Sequence, residues 1–366
     1  MKLYIGLMSG TSMDGIDAAL LDVDTNRLIE GVTTSYSPRV KTMLEHFFQQ
    51  EQHSLQAISQ LNTLIGRDFA LATQQLLARC NISHTDIVAI GSHGQTIVHD
   101  ASADIPYTVQ LGCPHTIAEW TKIPVVADFR TRDLVTGGQG APLAPLYHRI
   151  LFADRAHPLA IVNIGGIANL SGLIDSEHSI GYDVGPGNCL MDAWIRLHRG
   201  ESYDAGGQWA AEGQVIDSLL SALLSDDFFK KTYPKSIGKE YYSLEWLNRF
   251  LHDAFQQEDV QATLLHLTAH GIANAIRDQL PDCNEVIICG GGAHNAQLLS
   301  VLSKLLPHKK VQSTDSIGIR ADYIEAQMMA WLADRMLSKE ALNLKEITGS
   351  KHKSILGVFY PAGIDN

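Results

Sequence analysis

Alternating apolar residues form two strand–turn–strand patterns, one at the start of the chain and one near its middle. The first pattern joins the apolar runs 3–8 and 16–23 through the polar stretch 9–15, and the second joins 160–164 to 170–174 through the glycine turn 165–169. A period of two is typical of β-strands, and glycines and hydroxyl residues between two such runs are typical of a hairpin turn. The sequence therefore predicts a β-hairpin near the start of each half.

Strands and helices alternate along the rest of the chain. Near-helical apolar spacing over 54–80 predicts a helix, and short apolar runs at 87–90, 123–127 and 285–289 predict strands that end in polar or glycine-rich loops. The last of these loops, 289–295, is predicted to open a helix. Because open α/β sheets bind ligands beyond the carboxyl ends of their strands, these loops are candidate binding elements.

The glycine-rich connection 136–140 predicts a hinge between two domains. The 366 residues are enough for two domains of ordinary size. We assign residues 1–135 to the first domain and residues 136–344 to the second. The C-terminal segment 345–366 is a candidate for completing the first domain.

Composition narrows the setting of these domains. The net charge is −12 and there is no long basic stripe, which argues against nucleic acid and anionic membranes as partners. No apolar stretch approaches the length of a membrane span. The five cysteines are odd in number and contain no C-x-x-C pair, so we expect neither a disulfide framework nor a zinc site. Reduced cysteines fit a cytoplasmic protein.

The turn SGTSMDG, residues 9–15, matches neither of two common phosphate-binding motifs. A Walker A loop needs a lysine, and none occurs between Lys2 and Lys41. A dinucleotide-binding motif opens a helix, whereas the residues after this turn alternate like a strand. Two interpretations fit the turn equally well. Its amides and hydroxyls could converge on an anion, or it could be an ordinary hairpin turn.

A set of motifs in a fixed order carries a resemblance to a known family. They are MSGTSMDGID (8–17), GSHGQT (91–96), VVADFR (125–130), GGQGAPL (137–143), NIGGIANL (163–170), GYDVGPGN (181–188), PKSIGKE (234–240) and CGGGAHN (289–295). In these motifs the chain resembles the anhydro-N-acetylmuramic acid kinases of the actin/hexokinase/Hsp70 superfamily. The motifs span nearly the whole chain and are highly specific as a set.

The resemblance implies a fold and a reaction. The implied fold is α/β, with two ribonuclease-H-like (actin-like ATPase) domains around a nucleotide and substrate cleft. The implied reaction uses ATP and Mg²⁺ to phosphorylate 1,6-anhydro-N-acetylmuramate while water opens the 1,6-anhydro ring, which gives N-acetylmuramate 6-phosphate and ADP. The family serves peptidoglycan recycling, and its kinases are typically cytoplasmic homodimers.

The resemblance also assigns site residues by their match to the motifs. Asp183 is implied as the catalytic base for water, although a helix-capping aspartate is the other interpretation of its position. ATP binding is implied for Gly10, Thr11, Ser12, Met13, Asp14, Gly15, Ile16, Asp17, Gly165, Gly166, Asn169, Gly290, Gly291 and Gly292. Substrate binding is implied for Arg130, Glu325, Ser9 and His93. Asp14 or Asp17 could orient a hydrated Mg²⁺ or could simply form the turn, so we assign no metal ligand.

The chain departs from the family pattern at two positions. Thr131 and Val98 stand where the family often has arginine, so the resemblance does not determine the affinity for the sugar or the choice of sugar. It also does not determine the role of Lys235. Two further functions remain as alternatives: a kinase of an ordinary amino sugar without ring opening, and an actin-like or Hsp70-like nucleotide switch. A glycosidase with paired carboxylates is a third, which the three glycine loops disfavour.

Overall fold

The computed structural model describes residues 1–10, 13, 15–50, 52–233, 235–238, 241–252 and 254–363. Three of the predicted ATP-binding residues, Thr11, Ser12 and Asp14, lie outside the described residues. The sequence predictions for these three stay predictions.

The strands of the described residues follow the predicted order. They are β1 (Leu3–Ser9), β2 (Ile16–Asp22), β3 (Arg27–Thr34), β4 (Ile87–Asp100), β5 (Tyr107–Leu111), β6 (Val125–Ala127), β7 (Leu159–Ile164), β8 (Ile167–Leu173), β9 (Ser179–Pro186), β10 (Glu285–Cys289), β11 (Lys310–Ser313) and β12 (Val358–Tyr360). The two predicted hairpins are therefore confirmed as β1–β2 and β7–β8.

The helices of the described residues lie mostly between the strands. They are α1 (Pro38–Gln49), α2 (Leu55–Cys80), α3 (Pro114–Thr121), α4 (Thr131–Val135), α5 (Ala144–Leu151), α6 (Cys189–Arg199), α7 (Gln208–Glu212), α8 (Asp217–Leu224), α9 (Asp227–Lys230), α10 (Leu244–Asn248), α11 (Gln257–Gln279), α12 (Ala296–Leu305), α13 (Ile324–Leu337) and α14 (Lys345–Thr348). The predicted helix over 54–80 is confirmed as α2, with Ser54 as its N-cap.

The chain forms two compact units. The first contains Met1–Ala141 and Tyr323–Asn366, and the second contains Pro142–Asp322. The first boundary falls just after the glycine-rich connection in which we expected the hinge. The second boundary differs from the predicted one, because residues 323–344 belong to the first unit.

The first unit is built on a seven-stranded sheet of described residues, in the order β12-β6-β4-β1-β2-β3, with β5 paired to β4. Strands β1, β2 and β3 are antiparallel neighbours, and β4 and β6 continue the sheet parallel to β1. One face of this sheet packs against α2, where Ile65 and Phe69 meet the fully buried Ile5 and Leu7. Burial of these side chains stabilises the sheet and fixes its register.

The second unit repeats this arrangement in a five-stranded sheet, in the order β11-β10-β7-β8-β9. Strands β7, β8 and β9 are antiparallel, and β10 and β11 continue parallel to β7. In both units an antiparallel meander is therefore followed by two parallel strands on the side of the first strand. This shared order confirms the predicted α/β class with two ribonuclease-H-like sheets.

Helix α13 packs on the first sheet because two glycines leave room for its backbone. Gly6 of β1 and Gly91 of β4 are register partners. A Cβ at Gly6 would overlap the Ala326 carbonyl oxygen, and a Cβ at Gly91 would overlap that of Met329. This close approach is the physical reason that residues 323–344 join the first unit.

Among the described residues, none of the helices combines the length and the apolar character needed to cross a bilayer.

Candidate active site

The ends of the first hairpin turn are anchored by a buried glutamine. The hydroxyl oxygen of Ser9 lies 2.8 Å from the Gly15 carbonyl and 2.9 Å from Gln95 Oε1. Gln95 Nε2 donates to the Gly10 carbonyl at 3.2 Å, and the Met13 N–H donates to the same oxygen at 3.2 Å. Gln95 therefore holds the turn from the neighbouring strand β4.

Sequence reasoning did not single out Gln95, although it lies within the motif GSHGQT. It is fully buried and also accepts a hydrogen bond from Tyr36 Oη at 3.0 Å. A glutamine with every polar group bonded inside a sheet serves to fix backbone, since burying its amide without partners would destabilise the fold. Glutamine in a glycine-rich strand was the signal that could have identified it.

The other described residues of the turn differ in their surroundings. Asp17 is half-buried, and its Oδ1 accepts a hydrogen bond from Thr33 Oγ1 at 2.6 Å. Gly15 is buried, and Met13 has a left-handed backbone with φ of 60°. Ile16 has no exposed surface and belongs to the core of the first unit, so its position does not support the predicted contact with ATP.

Three of the predicted substrate-binding residues lie together in the first unit. Arg130 follows β6, and its Nε–H donates to His93 Nε2 at 2.9 Å while Nη1 donates to the Gly140 carbonyl at 2.7 Å. Glu325, in the first turn of α13, stabilises the Arg130 guanidinium by its charge. The fourth predicted residue, Ser9, is buried in the hairpin contacts described above.

His93 is a neutral imidazole that supports Arg130. Burial lowers the pKa of His93 to about 3, and the positive charge of Arg130 acts in the same direction. Because Arg130 donates to Nε2, the ring proton is on Nδ1, which donates to the Gly94 carbonyl at 2.8 Å. Both ring nitrogens are thus bonded within the protein, and one of the two bonds supports Arg130.

Glu325 is the acid of this cluster. Burial raises the pKa of its carboxyl group, and the Arg130 charge opposes that rise. Arg130 carries hydrogen-bond donors and Glu325 carries acceptors, and the charge of each acts on the other. Such a pair can bind a ligand that carries both a carboxylate and hydroxyl groups.

Two positions carry other residues where the family often has arginine. Thr131 begins α4, and Val98 is partly exposed on β4.

In the second unit, the glycine turn between β7 and β8 is bonded to the chain segment that enters α6. The N–H groups of Asn188 and Cys189 donate to the carbonyls of Gly165 and Gly166 at 2.8 and 3.1 Å. Asn188 Nδ2 also donates to the Ile164 carbonyl at 3.2 Å. The turn is therefore held rigidly by its carbonyl groups.

Nothing in the fold requires glycine at the tip of this turn. A Cβ at Gly165 would have its nearest neighbour at 3.7 Å, and a Cβ at Gly166 would have its nearest at 3.8 Å. These are ordinary van der Waals distances, and neither residue has a positive φ. Open space beside a rigid glycine turn fits the close approach of a phosphate group to backbone amides.

The third glycine motif is partly structural. Gly290 has a φ of 73°, and a Cβ at Gly292 would overlap the side chain of Ile164. Gly291 is exposed, and a Cβ there would be 3.7 Å from Asn188 Nδ2. The sequence predicted that this motif opens the following helix directly, and the structure differs. A 3₁₀ turn, Gly291–His294, intervenes, and Asn295 caps α12.

Asp183 lies inside strand β9. The strand runs on to Pro186, and Asp183 is the register partner of Asn169 in β8. Helix α6 has Asn188 as its N-cap residue, so Asp183 is not a helix cap. The structure therefore removes the alternative interpretation of this aspartate.

The Asp183 carboxylate is held by the segment 235–238. The Asp183 N–H donates to the Lys235 carbonyl at 3.0 Å, and Oδ2 accepts from the Ile237 N–H at 2.8 Å. Burial raises the pKa of Asp183 to about 7, while the Ile237 N–H and the Lys235 charge oppose that rise. A carboxyl group with a pKa near 7 can accept a proton at physiological pH.

Lys235 lies beside this carboxylate on a support of aromatic rings. Its Nζ donates to the Phe228 carbonyl at 3.1 Å and lies 4.6 Å from the centroid of the Phe228 ring and 5.9 Å from that of Tyr182. Burial lowers the pKa of Lys235, and the Asp183 charge opposes that change. The lysine thus supplies both a backbone contact and a positive charge to Asp183.

Among the described residues, no three histidine, cysteine, aspartate or glutamate side chains come close enough together to hold a metal ion.

Comparison with known proteins places the chain in a family. The family model for anhydro-N-acetylmuramic acid kinase matches residues 2–362. Proteins named anhydro-N-acetylmuramic acid kinase from Legionella pneumophila (strain Corby) and Aliivibrio fischeri are 53% and 43% identical, over 99% of this chain and 99% and 100% of theirs. One from Coxiella burnetii is 44% identical over 98% of this chain and 97% of its own. The chain belongs to the anhydro-N-acetylmuramic acid kinase family.

Proposed function

We propose that the protein uses ATP to phosphorylate 1,6-anhydro-N-acetylmuramate while water opens its anhydro ring, which yields N-acetylmuramate 6-phosphate and ADP in peptidoglycan recycling. The observation that carries this proposal is Asp183, whose backbone N–H donates to the Lys235 carbonyl, whose carboxylate accepts from the Ile237 N–H, and whose pKa is raised by burial to about 7. A base that activates water needs such a pKa, since it must be unprotonated at the operating pH and still take up a proton.

The reaction needs one proton acceptor. The water oxygen bonds to the anomeric carbon as its proton passes to the Asp183 carboxylate, and the bond from that carbon to the bridging oxygen breaks. The released oxygen bonds to the γ-phosphorus, and ADP leaves. Asp183 later returns its proton to solvent.

Arg130 is proposed to bind the lactyl carboxylate of the sugar, with Glu325 accepting from sugar hydroxyls. The guanidinium is held through Nε and Nη1 by His93 and Gly140, which fixes its plane. A planar guanidinium pairs with a carboxylate through two parallel hydrogen bonds.

ATP is proposed to bind the two hairpin turns through their backbone amides. The open space beside Gly165 and Gly166 supports this for the second turn, and the Gln95 contacts that hold Gly10 support it for the first. Mg²⁺ would arrive with ATP and bind phosphate oxygens and water, which needs few protein carboxylates.

Replacing Arg130 should weaken the binding of the sugar without weakening the binding of ATP. We expect Arg130→Gln to raise the KM for the anhydro-sugar by about 10–100-fold, the range for loss of hydrogen bonds to a charged group. The KM for ATP should stay within about twofold of the wild-type value. Arg130→Lys is the matched control, because it keeps the charge and loses the planar fork, so its KM should fall between the two. Equal KM values in all three proteins would contradict the assignment.

The pKa of Asp183 predicts a pH dependence. The base must be unprotonated, so kcat/KM should rise about tenfold per pH unit below pH 7 and level off above it. Steady-state rates between pH 5 and pH 9 measure this limb, with calorimetric ATP affinity as the control. A limb centred near pH 4, the usual range of an aspartate, would show that the pKa of the catalytic base is not raised.

The function is tested by turnover in oxygen-18 water. We expect ADP release that depends on the anhydro-sugar, and one heavy oxygen in the phosphorylated sugar when mass spectra are taken promptly. Phosphorylated sugar without heavy oxygen would indicate a kinase that leaves the ring closed. ADP release without sugar would indicate a nucleotide switch, and ring opening without ATP a glycosidase.

We further propose that the protein is a cytoplasmic homodimer. The homodimer rests on the family resemblance, and the cytoplasm on the use of ATP together with five free cysteines. Sedimentation equilibrium of the purified chain tests the dimer, and fractionation of cells tests the location.

A further inference from the structure

Asp133, in helix α4, is a buried acid to which the proposed reaction assigns no role. Its side chain has no exposed surface. Oδ2 accepts a hydrogen bond from the Gly140 N–H at 2.7 Å, and Oδ1 accepts one from Thr348 Oγ1 at 2.8 Å. A buried carboxylate without such partners would strongly destabilise a protein, so both contacts matter.

These contacts join the glycine-rich loop 137–140 to the C-terminal part of the first unit. The Gln139 N–H donates to the Thr348 carbonyl at 3.0 Å, and the Lys351 N–H donates to the Thr136 carbonyl at 3.0 Å. A Cβ at Gly138 would overlap the Asp133 carboxylate. The loop is therefore shaped around this one side chain.

The same loop holds Arg130. The Gly140 N–H is fixed by Asp133, and the Gly140 carbonyl accepts from Arg130 Nη1 at 2.7 Å. If the loop loses its contact with Asp133, the Gly140 carbonyl is free to turn away from Arg130. The guanidinium would then keep its contact with His93 on the Nε side alone.

We propose that Asp133 is a positioning residue for Arg130, which acts through Gly140 to hold the guanidinium in the orientation that binds the sugar carboxylate. This inference rests on the proposed function. The Asp133 charge also stabilises the Arg130 cation in a buried setting. Thr348 takes part because its hydroxyl holds the other oxygen of the same carboxylate.

A purely structural role is the competing interpretation, in which Asp133 only ties the C-terminal segment to the loop. The two roles differ in how Asp133 and Arg130 combine. A residue that acts through Arg130 has nothing left to position once Arg130 is gone, whereas an independent structural effect persists. A double-mutant cycle therefore separates them.

The experiment measures KM for 1,6-anhydro-N-acetylmuramate and for ATP in Asp133→Ala, Arg130→Gln and the double variant. We expect Asp133→Ala to raise the sugar KM about tenfold, with kcat and the ATP KM changed less than threefold. The double variant should have the sugar KM of Arg130→Gln alone. An unchanged sugar KM in Asp133→Ala, or KM effects that multiply in the double variant, overturns the proposal.

A milder variant tests the proposal independently of folding. Thr348→Val keeps the side-chain shape and removes the hydroxyl, and Thr348→Ser keeps the hydroxyl. We expect the sugar KM to rise severalfold in Thr348→Val and not in Thr348→Ser. Equal KM values in these two variants overturn the proposal. If the wild type shows no sugar-dependent ADP release, the proposed function fails. If it does and the KM values do not separate, only the role of Asp133 fails.

Discussion

Asp183→Asn should lower kcat on the anhydro-sugar by about 10²–10⁴-fold, the usual contribution of a positioned general base. Asparagine has nearly the same volume as aspartate, and its side-chain oxygen can still accept from the Ile237 N–H. The variant therefore keeps the geometry and loses only the proton acceptor. Steady-state kinetics at saturating sugar and ATP measure the effect.

Stability provides the control for this variant. Because the fold raises the pKa of Asp183 from its ordinary value of 3.8 to about 7, the folded state holds a proton that the unfolded state releases. Its contribution to stability is present below pH 4 and is lost as the pH rises to 7. Asp183→Asn avoids this loss, so its melting temperature at pH 8 should equal or exceed that of the wild type.

A matched acid shows that the loss of activity is local. Asp227 is an exposed aspartate of the same unit, paired with Lys230 at the surface. Asp227→Asn should leave kcat within about twofold of the wild-type value, since an exposed ion pair contributes little. Near-normal kcat in Asp183→Asn, with a normal melting temperature, would refute the catalytic assignment.

The local pattern was enough to predict the two hairpins. Strands β1 and β2, and later β7 and β8, are apolar segments buried along most of their length, each pair joined by a short connection, and a hairpin joins neighbours in sequence. The end of β9, in contrast, does not follow from the local pattern. Gly185 and Pro186 follow Asp183 and indicate a loop by composition, yet β9 keeps its pairing with β8 through them. Tertiary pairing overrode local propensity there.

Contacts between distant parts of the chain could not be predicted. Thr348 reaches Asp133 across 215 positions, and Gln95 reaches Gly10 across 85. Helix α13 follows the second unit in sequence but packs on β1 through Gly6. Apolar periodicity shows that one face of a helix is buried but not which sheet it packs against. The sequence therefore placed the second domain boundary after residue 344, whereas the first unit already resumes at Tyr323.

The predicted site residues show the same limit. The motifs placed Arg130 and His93 in separate loops, and only the fold shows that one donates to the other. The sugar contact implied for His93 stays a prediction, and the fold adds that both of its ring nitrogens are bonded within the protein, one of them to Arg130. The motif left the role of Lys235 open. The fold shows that its carbonyl accepts a hydrogen bond from the Asp183 N–H and that its positive charge opposes the rise in the Asp183 pKa.

Gly165→Val should weaken ATP binding by about 10²-fold while the protein remains folded. The fold leaves open space where the new Cβ would lie, with its nearest neighbour at 3.7 Å, so the first atom of the side chain fits the unliganded protein without overlap. A branched side chain there would block the approach of a phosphate to the backbone amides. The loss corresponds to two charge-assisted hydrogen bonds at the lower end of their range. Calorimetric titration with a non-hydrolysable ATP analogue measures it.

A second glycine separates ligand binding from folding in the same experiment. Gly292 belongs to the third glycine motif, but a Cβ there would overlap the Ile164 side chain in the core. Gly292→Ala should therefore lower the melting temperature by several degrees, the scale for overpacking a core. Gly165→Ala, with a smaller side chain in open space, should lower ATP affinity less than Gly165→Val at an unchanged melting temperature. Equal ATP affinity in the wild type and Gly165→Val would place the phosphates elsewhere.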